Sequence, residues 1–545
     1  MKRRPFFLLI FLSSFLGIAV LPTPAMAGYK EETARQVFEK LIQTRGDFGL
    51  PKPQFQFVNH EKEVARFQGQ TIFLGVKAYD VCTTFGADSL NALAILLAHE
   101  LVHYYAGHTW EEEFSREFAG TELPNEVKDS WLEDEVQADL WGGLLSYSAG
   151  YDVRAVAPKF FPTLYKAFGR DEDLAGYQKL ADRVTLAEQT GKKVQTLLTY
   201  FETANYLVAL GMFEDAQGYY ELILKEGYRS RELYNNLGVY KVMAALQLFR
   251  KSELPYGIPV ELDAESRIGH STKGGSGATP MEERNQLLKE ANQYFETARN
   301  LDPGYTPALV NQACVQALLG VSVARDDQDE AQMQYLQAQL LAKKAEREAR
   351  KSKTAMANIQ VLYGLLAAFQ GDQEEARSKW EKANTSLART NLEILDKGAF
   401  ASTGERLPRS NEREMIEDLS LDIFLRTYES SLEDLESLQA AGQSFKWGRS
   451  RSKSKLEHSS VYLHLVSPTR YAVLQVTDTD YQGQTLLGIR MGDDREKVLE
   501  TYKTPDSIVP LAHGEFLVYP AREILFRLDE DNRVVGWCVF RMVKP

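Results

Sequence analysis

The chain has 545 residues, which is too long for a single hydrophobic core, so three or four domains are expected. Hydrophobic residues make up 44% and charged residues 26% of the sequence, as in folded globular proteins rather than disordered ones. The net charge of −13 is spread along the chain. This argues against nucleic acid as a partner, because proteins that bind it gather Lys and Arg on one face.

The N-terminus has the pattern of an export signal. The basic residues of "MKRR" precede an apolar run, and Ala25-Met26-Ala27 provides the small residues of a signal-peptidase site. Residues 1–27 are therefore predicted to be a signal peptide, with an uncleaved membrane anchor as the alternative. No later segment approaches the length of a membrane span, so no stable span is expected in the mature chain. The mature protein is expected in the periplasm, with an extracellular or N-terminally anchored location as alternatives.

The segment between residues 28 and 190 is predicted to mix strands with helices. "QTIFLGV", residues 70–76, has the apolar and β-branched residues of a strand. Asp88 or Ser89 can cap a helix that runs through "ALAILLAHELVHYYAGH", and a second helix is predicted over 127–149.

Residues 191–400 are predicted to form helical repeats. A small residue, an aromatic residue four positions later and a small or apolar residue three positions after that recur in three segments: Ala291, Phe295 and Ala298; Ala376, Trp380 and Ala383; and Ala216, Tyr220 and Ile223. Pro303 follows the first set, and the small residues Gly364 and Ala204 each stand twelve positions before the other two. The pattern resembles the second helix of a tetratricopeptide repeat and predicts an α-solenoid, with an unrelated helical bundle as the alternative. Residues 251–282 are expected to be a long loop, and residues 326–353 a charged, solvated helical extension.

The C-terminal region is predicted to be a separate small domain. The polar residues 401–413 have the composition of a linker, and residues 414–545 contain one helix, over 419–438, followed by alternating strand-like runs. The fold class expected for the whole chain is therefore mostly α, with a small α+β domain at the C-terminus. The three cysteines, Cys82, Cys314 and Cys538, are far apart and stand in apolar contexts, so buried packing rather than a disulfide framework is predicted.

The sequence H-E-x-x-H in the apolar helix indicates a metal site. His99 and His103 are four residues apart, so on a helix they project side by side and can bind one ion. Glu100 lies beside them and can accept a proton from a water molecule. The alternative is a helix whose histidines are ordinary surface or core residues.

The second helix supplies what a catalytic zinc site still needs. Glu135 provides a third protein ligand and leaves one position open for water. Asp139, one turn further along, is expected to accept a hydrogen bond from the outer N–H of a ligand histidine and so fix its tautomer. Manganese or cobalt can occupy such a site, but two histidines and a glutamate favour zinc.

The two segments "HELVHYYAGH" and "EVQADLWGGLLSYSAGYD" together resemble the gluzincin metallopeptidases of family M forty-eight, over about residues 55–155. With helical repeats downstream, the arrangement is most similar to the periplasmic BepA-like members. The resemblance implies a zincin-type α+β domain, one Zn²⁺ per chain held by His99, His103 and Glu135, and Glu100 as the catalytic base. It also matches His108 to a further histidine of many members, for which a regulatory or substrate-contacting role is expected.

These observations predict an exported zinc endopeptidase that hydrolyses peptide bonds of envelope or unfolded proteins, with the helical repeats recruiting substrate or a protein partner. The alternative is a non-catalytic envelope scaffold whose metal site is structural or vestigial. The strand over 70–76 is expected to bind extended substrate along its edge. Candidates for the donor that stabilises the oxyanion are four residues: His60, Tyr104, Tyr105 and His108.

Overall fold

The structure is a computed structural model that is mostly helical, with an antiparallel sheet near the C-terminus. It describes residues 24–45, 51–106, 125–149, 151, 156–169, 180–225, 230–262, 280–349, 352–398, 405–431, 434–450 and 456–543. Most of the predicted signal peptide, up to residue 23, and His108 lie outside these residues.

The first part of the chain contains five helices and a small sheet among the described residues. The elements are α1 (Pro24–Arg45), β1 (Gln54–Val58), β2 (Ala65–Gln68), β3 (Thr71–Gly75), α2 (Val76–Thr83), α3 (Ser89–Ala106), α4 (Asn125–Ser148) and α5 (Ala157–Ala167). Helix α3 is buried on all sides from Ala92 to His103, because almost every residue of its first three turns is apolar. It packs against α1, α4 and β2 and so lies at the centre of this region.

The sheet places β3 in the middle rather than at an edge. The strand order is β1-β3-β2, with β1 parallel and β2 antiparallel to β3. The strand predicted over residues 70–76 is present, but the prediction that it binds substrate along its edge is wrong, because both of its edges are already paired. Among the described strands, β2 is the outer strand that lies against α3.

The middle of the chain is a series of helical hairpins. The helices are α6 (Leu180–Ala209), α7 (Phe213–Lys225), α8 (Arg231–Leu246), α9 (Pro280–Leu301), α10 (Thr306–Val323), α11 (Gln328–Glu348), α12 (Lys353–Phe369), α13 (Gln373–Ala383) and α14 (Ser386–Lys397). Consecutive helices pair as α6/α7, α8/α9, α10/α11 and α12/α13, and the first helices of neighbouring hairpins also contact one another.

Each of three hairpins closes around a glycine that faces an aromatic ring. A Cβ added to Gly238 of α8 would lie 2.4 Å from the ring of Phe295 in α9. The same 2.4 Å separation recurs between Gly320 of α10 and Tyr335 of α11. It recurs again between Gly364 of α12 and the ring of Trp380 in α13. Phe295, Gly364 and Trp380 of the recurring sequence pattern therefore take part in the close contacts between paired helices.

Helix α11 corrects a prediction. Residues 326–353 were expected to be a solvated extension, yet α11 is the second helix of a hairpin and packs along α10. Its buried face consists mainly of small residues: Ala331, Tyr335, Ala338, Ala342 and Ala345. Because alanines are only weakly hydrophobic and alternate with charged residues here, the sequence shows no clear apolar stripe that would predict this buried face.

By length and hydropathy, α10 alone among the described helices could cross a membrane. However, 72% of it is buried against its neighbours, and the core helix of a helical stack passes the same test.

The C-terminal region contains α15 (Leu421–Ser431), α16 (Arg495–Tyr502) and eight strands. The strands are β4 (Asp434–Ala440), β5 (Gln443–Ser450), β6 (Ser459–Ser467), β7 (Arg470–Thr477), β8 (Ser507–Leu511), β9 (Gly514–Tyr519), β10 (Ile524–Leu528) and β11 (Val534–Val543). They form one antiparallel sheet in the order β4-β5-β6-β7-β11-β10-β9-β8. The helix predicted over 419–438 is wrong in its second half, because residues 434–440 pair with β5 as a strand.

The two faces of this sheet have different partners. One face, including Phe445, Leu474 and Phe540, shares a continuous hydrophobic core with the helical hairpins. The other face is covered by α15 and α16 through Phe424, Val498 and other apolar side chains. All three cysteines are buried and free, as predicted. The predicted domain boundaries stay predictions.

Candidate metal centre

The two helices that carry the sequence motifs bring three ligand atoms together. His99 Nε2 and His103 Nε2, on successive turns of α3, are 3.0 Å apart. Glu135 approaches from α4 with Oε1 3.3 Å from His103 Nε2 and Oε2 3.6 Å from His99 Nε2. Since all three atoms lie within 4.8 Å of one another, they can contact one ion.

The separations suit a small tetrahedral cation. Zinc bound at about 2.0–2.1 Å to nitrogen and oxygen ligands would hold neighbouring ligand atoms roughly 3.3–3.4 Å apart. The two histidine nitrogens are 3.0 Å apart, and each lies within 3.6 Å of one or the other oxygen of the Glu135 carboxylate, which is close to this value. Two imidazoles and one carboxylate form a donor set that zinc prefers. The residues present therefore fit the predicted ion.

A glycine in α4 allows this approach. A Cβ added to Gly142 would lie 2.9 Å from the main-chain nitrogen of His99 and 3.1 Å from its Cα. Ala138, one turn earlier, is fully buried. Small residues at these two positions let the α4 backbone lie close against α3. This contact brings Glu135 within reach of both histidines.

Asp139 orients the first histidine. His99 Nδ1 is 2.8 Å from Asp139 Oδ1, and both side chains are buried. A proton on Nδ1 that is donated to Asp139 leaves the Nε2 lone pair directed at the ligand group. The hydrogen bond predicted from the four-residue spacing of Glu135 and Asp139 is therefore present.

The centre concentrates negative charge in the protein interior. Glu100, Glu135 and Asp139 are each 8% exposed or less, so three carboxylates surround two imidazoles with little solvent. Burial disfavours the charged form of His99, but the hydrogen bond to Asp139 and the charges of Glu135, Asp139 and Glu100 outweigh it and raise the pKa of His99 to about 9. A cation at this site would offset the same negative charge.

The outer strand of the small sheet borders the centre. Phe67 of β2 lies nearly parallel to the His103 ring, at 8° and with the ring centroids 6.4 Å apart. Phe67 is not among the predicted site residues, because no spacing rule connects a short strand to a motif more than thirty residues away. Gly142 is not among them either, although it stands in the motif segment "EVQADLWGG".

The structure describes three of the four candidates for an oxyanion donor. The Tyr104 hydroxyl donates to the Pro51 carbonyl at 2.8 Å. The Tyr105 ring lies against the Arg45 guanidinium at 4.5 Å. His60 is exposed in the turn between β1 and β2.

No protein-family model matches the chain, and a search of curated proteins finds no match. The resemblance to gluzincins therefore rests on the motif residues alone.

Proposed function

We propose that this protein is a zinc-dependent endopeptidase. The observation that carries the proposal is the convergence of His99, His103 and Glu135 from two packed helices, with Glu100 buried on the same helix as the histidines. Three protein ligands leave an open coordination position, as catalytic zinc sites do. A structural site would have no use for the additional carboxylate of Glu100.

The side chains would divide the chemistry between them. A bound Zn²⁺ supplies Lewis acidity for the water nucleophile and for the peptide carbonyl. Glu100 accepts the proton of the attacking water and returns it to the leaving amine as the peptide bond breaks. Asp139 keeps the Nδ1 proton of His99 in place and so holds the ring orientation during turnover.

The position of β2 supports an extended substrate. It is an outer strand of its sheet among the described residues, and its Phe67 lies over His103. A peptide that pairs with the outer edge of β2 would therefore pass close to the metal centre. Because main-chain hydrogen bonds would hold it, unfolded or extended chains of varied sequence are the expected substrates, as in protein quality control.

The remaining regions would serve recruitment. The hairpins with their glycine–aromatic contacts support a tetratricopeptide-like solenoid that binds substrate or a protein partner. In this proposal the zincin-type α+β peptidase domain precedes the solenoid, and the α+β C-terminal domain follows it. The N-terminal signal pattern supports an exported protein acting in the cell envelope.

The substitution Glu100→Gln tests the proposal. It should leave one zinc per chain, because Glu100 is not a ligand, and should slow cleavage of an unfolded protein at least about 100-fold, because general acid–base catalysis contributes that much. Zinc content by mass spectrometry and cleavage of unfolded casein on gels are the measurements. The control is Glu61→Gln, since Glu61 is exposed in the β1–β2 turn. Undiminished cleavage by Glu100→Gln would refute the endopeptidase and favour the scaffold.

A further inference from the structure

Residues 256–262, Tyr-Gly-Ile-Pro-Val-Glu-Leu, form a segment that we call the inner segment. It follows α8 and has no helix of its own, and a tight turn places the Val260 N–H 3.0 Å from the Ile258 carbonyl oxygen. From Ile258 to Leu262 every residue is buried. Part of the region predicted to be a long loop therefore lies in the interior, against the helical hairpins.

Asparagine side chains hold the main chain of the inner segment at two points. Asn391 of α14 accepts the Gly257 N–H at 2.7 Å and donates to the Gly257 carbonyl at 3.0 Å. Asn311 of α10 accepts the Glu261 N–H at 2.6 Å and donates to the Glu261 carbonyl at 2.8 Å. Each carboxamide thus binds the N–H and the carbonyl of one residue. These contacts do not involve the side chain of that residue.

Further asparagines extend the series. Asn235 of α8 donates to the Glu261 carbonyl at 2.9 Å, and Asn358 of α12 donates to the Glu261 carboxylate at 3.0 Å. Helices α8, α10 and α12 are the first helices of three successive hairpins, and α14 follows them. Buried amides cost free energy unless they are hydrogen-bonded. Asn235, Asn311 and Asn391 all meet this need with main-chain atoms of the inner segment, which indicates a surface suited to polar main chain.

The end of the inner segment also pairs with the large sheet. The Leu262 N–H donates to the Pro510 carbonyl at 2.9 Å, and the Ala512 N–H donates to the Leu262 carbonyl at 3.0 Å. Strand β8 is an edge of that sheet, and an added strand on a sheet edge is a common way to bind a peptide. A cavity of about 430 Å³, lined by Asn358 and Pro510 among others, adjoins this end and leaves room for further chain.

We propose that the row formed by Asn235, Asn311 and Asn391 is a binding site for unfolded polypeptide main chain, and that the inner segment fills this site as a pseudo-ligand. The segment must then leave before another chain can bind. A Cβ added at Gly257 would lie 2.4 Å from the Leu387 Cδ1 atom, so a small residue fits this position of the inner segment without movement of that side chain. This deepens the proposed recruiting role of the hairpins and does not depend on the metal centre.

The test measures binding of a fluorescent peptide with the sequence of residues 256–262 to the full chain in the Glu100→Gln background, where hydrolysis cannot remove the probe. The triple substitution Ile258→Ser, Val260→Ser and Leu262→Ser weakens the inner segment and should tighten peptide binding at least tenfold. Adding Asn311→Ala and Asn391→Ala should abolish the gain, whereas Asn300→Ala, at an exposed position of α9, should not.

A modified peptide tests the recognition mode. Methylation of the amide nitrogens equivalent to Gly257 and Glu261 removes the two N–H donors and should weaken binding at least tenfold. A folded triple variant that binds no peptide, or that binds the methylated peptide equally well, would overturn the proposal. Either result leaves the endopeptidase intact, since cleavage by the unsubstituted chain is measured separately.

If the triple variant does not fold, hydrogen exchange tests whether a peptide can displace the inner segment. In the chain with an unsubstituted inner segment, millimolar peptide should compete for the asparagines and raise the exchange rate of the Gly257 and Glu261 amides at least tenfold, while α10 and α12 keep their protection. Unchanged exchange at these two amides in saturating peptide would show that the inner segment is a permanent part of the core.

Discussion

At the scale of single residues, the metal centre contains buried carboxylates whose negative charge is balanced by a protonated histidine or by a bound cation. His99 carries its raised pKa of about 9 because carboxylates surround it in a buried place. In the metal-free protein at neutral pH, the His99 imidazole is therefore positively charged, with a proton on Nε2 as well as on Nδ1. A metal ion that binds Nε2 must displace this proton, and this couples metal affinity to pH.

The sign of the coupling gives a prediction. Below pH 9 zinc competes with one proton at His99, so the apparent affinity should rise about tenfold per pH unit and level off near pH 9. A histidine with an ordinary pKa would show the plateau near pH 6.5 instead. Competition with a chelator across pH 6 to 9.5 measures the curve. A plateau already reached at pH 7 would contradict the proposed electrostatics.

Asp139 provides the second prediction at this scale. The substitution Asp139→Asn removes the carboxylate that orients His99 while preserving the size of the side chain. Zinc affinity should fall about 10- to 100-fold at the plateau, as for other partners of ligand histidines. The plateau should also move to lower pH, because the largest effect that raises the pKa of His99 is lost. Asp326→Asn, at an exposed position far along the chain, is the control.

At the scale of elements, the close packing of α3 and α4 determines whether the ligands meet. Gly142→Ala would place a methyl group 2.9 Å from the main-chain nitrogen of His99, so the helices must move apart. Because that neighbour is backbone, it cannot rotate away, and the free energy of unfolding should fall by about 1–3 kcal/mol.

Zinc affinity should fall together with stability, because Glu135 is carried away from both histidines. Chemical denaturation and chelator competition measure the two effects. The control is Gly304→Ala, where the nearest atom to the added Cβ is an ordinary 3.5 Å away. A Gly142→Ala chain with unchanged zinc affinity would show that the helix spacing does not set the site.

The elements also show where sequence patterns carry structural information and where they do not. The four-residue spacing of His99 and His103 predicts that their side chains can share an ion, because residues four apart on a helix share a face. The predicted helix includes residues 434–438 because "DLESL" has helical propensity, whereas pairing with β5 makes these residues extended in β4. The position of Phe67 beside His103 depends on strand order, which local pattern does not encode.

At the scale of the whole molecule, the helical hairpins and the large sheet are joined by one hydrophobic core and by a buried polar cluster. The Tyr219 hydroxyl and His464 Nδ1 are 2.9 Å apart, and His464 Nε2 lies 2.9 Å from Asp215 Oδ1. Arg470 of β7 also contacts Asp215, at 3.0 Å. The cluster therefore connects α7 to β6 and β7 by directional contacts that the apolar core alone does not supply.

The cluster should make the stability of this junction depend on pH in the acid range. Burial raises the pKa of Asp215, but hydrogen bonds and charges from His464 and Arg470 outweigh it, so the pKa is lowered. A carboxyl whose folded pKa is lowered stabilises the protein fully above its unfolded pKa of about 3.9, and the contribution is lost as pH falls through the folded value.

Asp215→Asn should therefore destabilise the chain at pH 7 and reduce the loss of stability between pH 5 and pH 2. The midpoint of chemical denaturation at several pH values, followed by tryptophan fluorescence, measures both effects, since Trp447 is buried in the shared core. Glu214→Gln is the matched control, because Glu214 contacts the same arginine from an exposed position. Equal acid sensitivity in Asp215→Asn and the unsubstituted chain would mean that the apolar core, rather than this cluster, holds the sheet against the hairpins.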